Sequence, residues 1–211
     1  LKGEMDMPSG SLWLEEPLSQ YPPLEGRIKT EVCVVGGGIT GLTTAYLLSK
    51  AGVKTVVLEA GSLGQGASGH TIAKVTFQHG LIYHRLCVLW GREAALAYAQ
   101  VNSEAIEQIE RVITELGADC GFVRQPAFLY TTLEANVEKL EKEAVIAQSI
   151  GIPAKMLHQS NLPLPIKGSL CFEDQAMLHP VRYLKALANG IIRQCGQIYC
   201  DSRVKRVENR Q

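Results

Sequence analysis

Two short apolar runs bracket a stretch of helical length near the start of the chain. Residues 31–35 (EVCVV) and 53–58 (VKTVVL) are β-branched, have the length of strands and lack alternation, so both are expected to be buried strands. Residues 39–51 between them read as a helix, and Gly52 supplies its stop signal. Two strands joined in parallel by a helix form a right-handed βαβ unit.

The pattern then changes. Residues 61–80 carry five glycines and predict a long loop, a length that in a compact domain usually marks function. A helix is expected over 92–116, with Tyr98, Val101, Ala105, Ile109, Val112 and Leu116 on its apolar face and Glu107 four residues before Arg111 on its wet side. Residues 121–132 read as two short strands interrupted near Pro126, followed by a charged helix over 133–149 and candidate strands at 154–158 and 168–173. His179-Pro180 opens another helix, since proline suits a first turn. Its stripe is Leu184, Leu187, Ile191 and Cys195, Gly196 ends it, and strands at 197–201 and 203–207 close the chain. Residues 1–30 are rich in Pro, Ser and Gly and read as irregular.

Charge adds only an exclusion. Lys plus Arg equals Asp plus Glu at 21 each, so nothing points to a nucleic-acid or membrane-surface partner. No apolar run reaches membrane-spanning length and no signal-peptide pattern opens the chain, which makes cytoplasm the default expectation. The six cysteines (Cys33, Cys87, Cys120, Cys171, Cys195 and Cys200) form no C-x-x-C pair, and His79 and His84 are five apart. No metal site is written there, and buried free thiols are expected.

The candidate chemistry lies in the glycines. Gly36-x-Gly38-x-x-Gly41 follows a strand and opens a helix, the context in which such glycines cradle a pyrophosphate. Gly36 permits the sharp turn, Gly38 lets backbone approach the phosphates, and Gly41 allows close helix–strand packing. The unpaired first-turn amides and the helix dipole favour an anion there. Glu59, eighteen residues after Gly41 at the end of the second strand, is placed to accept hydrogen bonds from adenosine ribose hydroxyls and to repel a 2′-phosphate. The unit is an adenine-dinucleotide site, for FAD or NAD.

Beyond Gly41, Ala45, Leu48 and Gly52 extend the pattern in the manner of flavoproteins, and GQGASGHT (residues 64–71) resembles the loop of the D-amino-acid oxidase-like family of FAD enzymes. The resemblance extends to residues 168–191 and to GQIYCDSRVKRV, and is closest to a bacterial subfamily whose members often carry a C-terminal Rieske iron–sulfur module. It implies FAD as cofactor and an α/β fold: a Rossmann-like FAD domain with an inserted, partial α+β substrate domain. The implied contacts are Gly36, Gly38, Ile39, Thr40, Gly41, Glu59 and Ala60, then Gly66, Ala67, Ser68, His70 and Thr71 along the loop, with the backbone of Val204 at the adenine end. The βαβ start and the closing helix and strand suit one set of layers, while residues 121–173 have a different rhythm of short strands. An arm is therefore expected over 1–26, an incomplete FAD-binding domain over 27–118 and 178–211, and part of a substrate domain over 119–177.

The implied reaction moves a hydride from the carbon beside an amine or amino-acid nitrogen to flavin N5, after which the imine hydrolyses. The cofactor carries that chemistry, so no catalytic residue is assigned. Weighed near the flavin, His70 and Lys74 read equally as solvated loop residues, Arg124 as a surface arginine, and Tyr83 and Tyr130 as packing residues. In the dimethylglycine and sarcosine dehydrogenase branch a histidine at the point matching His70 is joined covalently to flavin. Gly69 stands here in place of that branch's tryptophan, and a noncovalent role is expected. Family members run well past this length, so the resemblance implies the N-terminal half of an enzyme, inactive in isolation, whose partner is its own C-terminal half. An NAD-dependent dehydrogenase or a non-catalytic dinucleotide-binding module remain the alternatives.

Overall fold

Branched Cβ atoms favour extended backbone, and glycines supply the turns that follow, so the first half of the fold grows directly from local sequence. The computed structural model describes residues 10–16, 18–157 and 165–208. In chain order the elements are β1 (Val32–Val35), α1 (Ile39–Lys50), β2 (Thr55–Leu58), β3 (Lys74–Val75), α2 (Ile82–Leu116), β4 (Val123–Arg124), β5 (Ala127–Thr131), α3 (Val137–Ser149), β6 (Ala154–Leu157), β7 (Gly168–Phe172), β8 (Ala176–Met177), α4 (Pro180–Arg193) and β9 (Gln197–Tyr199). Short 3-10 helices occupy Leu12–Glu15, Ala67–His70 and Glu134–Asn136.

The chain forms two units. The first is built from residues up to Ala73, Ile113–Cys120 and the residues from His179 onward; the second from Lys74–Val112 and Gly121–Leu178. Residues 74–112 thus group with the later strands and not with the nucleotide-binding layers, to which the expected bounds assign them. Short two-residue strands at 74–75 and 176–177 pair with each other, a long-range contact that no local pattern announces.

In the first unit the sheet order is β1-β2-β9, all parallel, with Val32 opposite Thr55 and Val57 opposite Ile198. The central β2 buries Thr55, Val56 and Val57. β1 does not match the expected buried strand: it lies at the edge of this sheet, Cys33 is exposed, and Val35 is 60% exposed. α1 packs on α4, burying Leu42, Ala45 and Tyr46, while α4 buries Val181, Leu184, Leu187 and Ile191. Each fully buried aliphatic side chain of this kind contributes roughly 1.5–3 kcal/mol. α4 opens as the sequence indicated, with Pro180 in its first turn and the His179 Nδ1 accepting from the Arg182 amide at 3.4 Å. Its end differs. The helix stops at Arg193, and Cys195 lies beyond it at φ +61°, exposed rather than on the apolar stripe. Residues 203–207 form no strand. Position 158, expected to end a strand, and the terminal residues 1–9 and 209–211 lie outside the described residues.

In the second unit β5, β7 and β6 form an antiparallel sheet with β7 in the centre, where Phe172 faces both Ala127 and Ala154. α3 covers it with Leu140, Ala144 and Ala147, joined in one core by Tyr83, Leu86, Ala95, Ala99, Ile106, Leu170 and Phe172. Gly91, at φ +85°, breaks α2 into two helical segments: one from Ile82 that the periodicity does not announce, and one running to Leu116 that begins where the pattern places a helix. The buried face is also shifted. Ala95, Ala99 and Ile106 are buried, whereas Val101 is 65% exposed and Ala105 faces solvent. Arg111 bonds Gln108 Oε1 at 2.9 Å rather than Glu107.

One charged side chain of α3 is fully buried. The Glu143 carboxylate accepts from the amides of Tyr83 and His84, each at 2.8 Å, in the first turn of α2. An acid in that place satisfies orphan donors and complements the helix dipole. Burial nevertheless pushes its pKa up, against the two amides that pull it down.

Candidate functional site

The turn after β1 performs the tasks its glycines suggest. Gly36 sits at φ +107°, where a side chain is strained, and its amide donates to Leu58 O at 2.9 Å. A Cβ on Gly41 would lie 2.0 Å from Gly36 O and 3.4 Å from Val34 Cγ1, so the helix rests directly on the turn. Gly38 is different. Its backbone is extended (φ −88°, ψ −173°), and a Cβ there meets only Ser68 Oγ, at 3.0 Å. Gly38 therefore leaves open space at the N-terminus of α1.

Donors face that space. Ile39 N donates to Ser68 Oγ at 3.0 Å, while the amides of Gly38 and Thr40 have no partner among the described residues. A helix N-terminus with unpaired amides and no Cβ in the way fits a pyrophosphate. Gly37 is equally constrained: it is buried, and a Cβ would meet Leu63 Cδ2 at 2.3 Å. Its signal was the unbroken glycine triplet itself.

Glu59 is half-buried just past β2. Its Oε2 accepts from Gly37 N at 2.6 Å and its Oε1 from Gly61 N at 2.9 Å. The carboxylate thus ties the glycine turn to the end of β2, a task not anticipated for it. Two oxygens with about four acceptor positions leave capacity for ribose hydroxyls as well. β9 anchors the same point, with Glu59 N donating to Tyr199 O at 2.9 Å and Ser202 N to Glu59 O at 2.8 Å.

The loop after β2 folds back on the cradle. Gly64 N donates to Gly37 O at 3.2 Å, and the 3-10 helix Ala67–His70 presents Ser68 to α1. Gly69 is buried, with a would-be Cβ 2.3 Å from Gly64 O, so a tryptophan has no room there. His70 is exposed and its Nδ1 lies 3.0 Å from Gly66 O. Ala60, Gly66 and Ala67 are exposed, and Thr71 is half-buried with Oγ1 accepting from Ala73 N at 3.3 Å. Val204 is half-buried in the irregular segment after β9. The structure thus joins Ile39 to Ser68, and Glu59 to Gly37 and Gly61, by hydrogen bonds, and shows none from Val204 among the described residues.

The other weighed residues belong to the second unit. Arg124 is engaged by Glu110, Nε to Oε2 at 2.9 Å, and donates to Asp174 O at 3.1 Å. Tyr83 is buried, its hydroxyl donates to Phe77 O at 2.5 Å, and burial drives its pKa well above the usual phenol range. Tyr130 is 45% exposed, and Lys74 Nζ lies 3.4 Å from Gln78 Oε1.

Strand, glycine turn, helix, strand and acid, closed by a serine-bearing loop, define a dinucleotide-binding α/β protein. The chain belongs to the FAD-dependent oxidoreductases: the family model described as "FAD dependent oxidoreductase" matches residues 31–211. FAD is the cofactor of this family, and the match favours it over an NAD-dependent or non-catalytic reading. A Bacillus subtilis (strain 168) protein provisionally named Rieske 2Fe-2S iron-sulfur protein YhfW is 38% identical over 86% of this chain and 36% of its own length. Gamma-glutamylputrescine oxidoreductase of Escherichia coli (strain K12) is 26% identical over 90% of this chain and 47% of its own. Glycine oxidase from Bacillus cereus ATCC 14579 shares the fold, with a TM-score of 0.67 at 20% identity over 86% of this chain and 50% of its own. The chain therefore spans about a third to a half of the length of these relatives. No helix among the described residues is long and apolar enough to cross a membrane.

Proposed function

We propose that this chain is the nucleotide-binding part of an enzyme that oxidises an amine or amino acid by hydride transfer to FAD. The observation that carries the reading is the open N-terminus of α1, where Gly38 leaves space and the Gly38 and Thr40 amides are unpaired. In this reading those amides and Ser68 hold the pyrophosphate, and Glu59, Ala60 and the Val204 backbone hold the adenosine end. Gly66, Ala67, His70 and Thr71 lie along the remainder of the dinucleotide, His70 without a covalent bond.

When bound, FAD supplies the hydride acceptor. The chain's own residues bind and orient it: the helix dipole of α1 offsets phosphate charge, and the extended backbone at Gly38 permits close approach. The second unit forms part of a substrate domain, and the remainder comes from sequence outside this chain. Two findings support that remainder. Relatives are two to three times longer, and β1 is an edge strand with Cys33 and Val35 exposed beside the cradle. The Rieske-named relative supports an iron–sulfur module as a further partner of the whole protein. A cytoplasmic location agrees with this reading.

The test uses the full-length protein. Purified gently, it should show flavin absorbance, and anaerobic addition of amines and amino acids one by one should bleach that absorbance with at least one of them. A colourless protein that takes up no FAD contradicts the cofactor site. A yellow protein that no amine or amino acid reduces contradicts the substrate class alone.

A further inference from the structure

The geometry points to the N-terminal arm, Ser11–Glu16, as a strap that sets the flavin-binding loop, with Trp13 as its positioning residue. The inference rests on the flavin reading above and goes beyond it, since no arm residue belongs to the cradle. Ser11 Oγ donates to Gly69 O at 2.5 Å, and Trp13 Nε1 donates to Thr71 O at 2.7 Å. These carbonyls follow Ser68 by one and three residues, and Ser68 Oγ is the group that meets Ile39 N at the mouth of α1. Leu14 closes on the same segment, where a Cβ on Gly69 would stand 2.8 Å from its Cδ2.

The strap is fastened at its far end. Glu16 Oε2 lies 2.7 Å from Arg182 Nε and 3.6 Å from His179 Nε2, and the hydrogen bond from Arg182 holds the Glu16 carboxyl below its usual range. The Trp13 ring meets the His179 ring edge-on, with centroids 5.0 Å apart. His179 caps α4, so the arm links the start of that helix to the loop. A 3-10 helix of four residues is too short to hold itself; its order comes from these contacts. In exchange it fixes two carbonyls of the loop.

The decisive variant in the full-length holoenzyme is Trp13→Phe, which keeps a ring beside His179 and removes the donor to Thr71. Ser11→Ala provides a milder second variant. Loss of one hydrogen bond of this kind corresponds to roughly a 3- to 10-fold change in an equilibrium. FAD release from Trp13→Phe should be faster by about that factor. In the FAD-free proteins, amide hydrogen exchange should quicken across residues 66–71 while the melting temperature and exchange in β5, β6 and β7 stay unchanged. Equal release rates together with equal exchange at 66–71 in both variants and wild type overturn the strap. Quickened exchange throughout the protein also overturns it, since that marks general destabilisation. Wild-type protein that carries no FAD overturns the flavin reading, and the strap's role with it.

Discussion

Two glutamates in this chain make nearly the same contacts and serve opposite ends. Glu59, in the first unit, accepts from Gly37 and Gly61 amides at 2.6 and 2.9 Å; Glu143, in the second, accepts from Tyr83 and His84 amides at 2.8 Å each. Glu143 is fully buried and occupies the N-terminus of α2, so that helix already holds its anion. Glu59 braces the glycine turn instead of capping α1; Ile39 N is taken by Ser68 Oγ, and the Gly38 and Thr40 amides have no partner among the described residues. Two helix starts with the same dipole thus diverge: one is filled from within by an acid of the chain, the other keeps two unpaired amides, where the proposed pyrophosphate would sit.

The largest expected effect lies at the turn that keeps α1 in place. Gly41→Ala puts a Cβ 2.0 Å from Gly36 O, a backbone clash that no rotamer relieves. It should cost about 3 kcal/mol or more in denaturant unfolding, and lose flavin as a consequence. An unchanged midpoint would show that α1 does not rest on the turn.

Glu143→Ala should come next. Leaving two buried amides without an acceptor costs roughly 2–4 kcal/mol, visible as a lowered unfolding midpoint, with FAD affinity in the surviving folded protein unaltered. Glu59→Ala should show the reverse: a stability loss of about 1 kcal/mol, and FAD affinity lower by roughly 10-fold, less than for a change at the phosphates. If both variants lost stability and kept flavin alike, the two acids would not differ in role.

A pH titration sharpens the contrast further. Burial raises the Glu143 pKa in the folded state above its unfolded value of 4.5, so the folded protein binds the extra proton between those two values. Its contribution is therefore most favourable below the unfolded value, and stability declines as pH rises through the raised folded value. Glu143→Gln should remove that slope from the unfolding free energy measured between pH 4 and pH 7, about the range in which carboxyls titrate. A slope unchanged in the variant would mean another group carries it.

Much of the first unit was legible in the sequence because its contacts are local. Gly36, Gly41 and the strand–helix–strand order follow from a turn, a close approach and branched runs within thirty residues, and Pro180 marks the start of α4 in the same way. The misses arise where distant chain decides. Glu143 lies in a charged helix that gives no local sign of burial, yet it is fully buried and bonded to the first turn of α2, sixty residues away in the chain. Val35 belongs to a run that looks buried, yet β1 has a neighbour on one side only among the described residues. The helical segment from Ile82 to the Gly91 kink is not announced by periodicity, while the one after it begins where the pattern places it. Ser68 was named for its place in the loop, while its bond to Ile39 could not be read from spacing.

The most direct test of the open helix start is the flavin content of full-length wild-type protein and its Gly38→Val variant. The backbone at Gly38 is extended and a Cβ there would meet only the Ser68 hydroxyl among the described residues, so valine should leave the fold intact while filling the phosphate space. The account predicts about one FAD per wild-type chain, FAD affinity lowered by roughly 100-fold in the variant, and matching melting temperatures once flavin is removed. A Gly38→Val protein that retains flavin at the wild-type stoichiometry and affinity would contradict it.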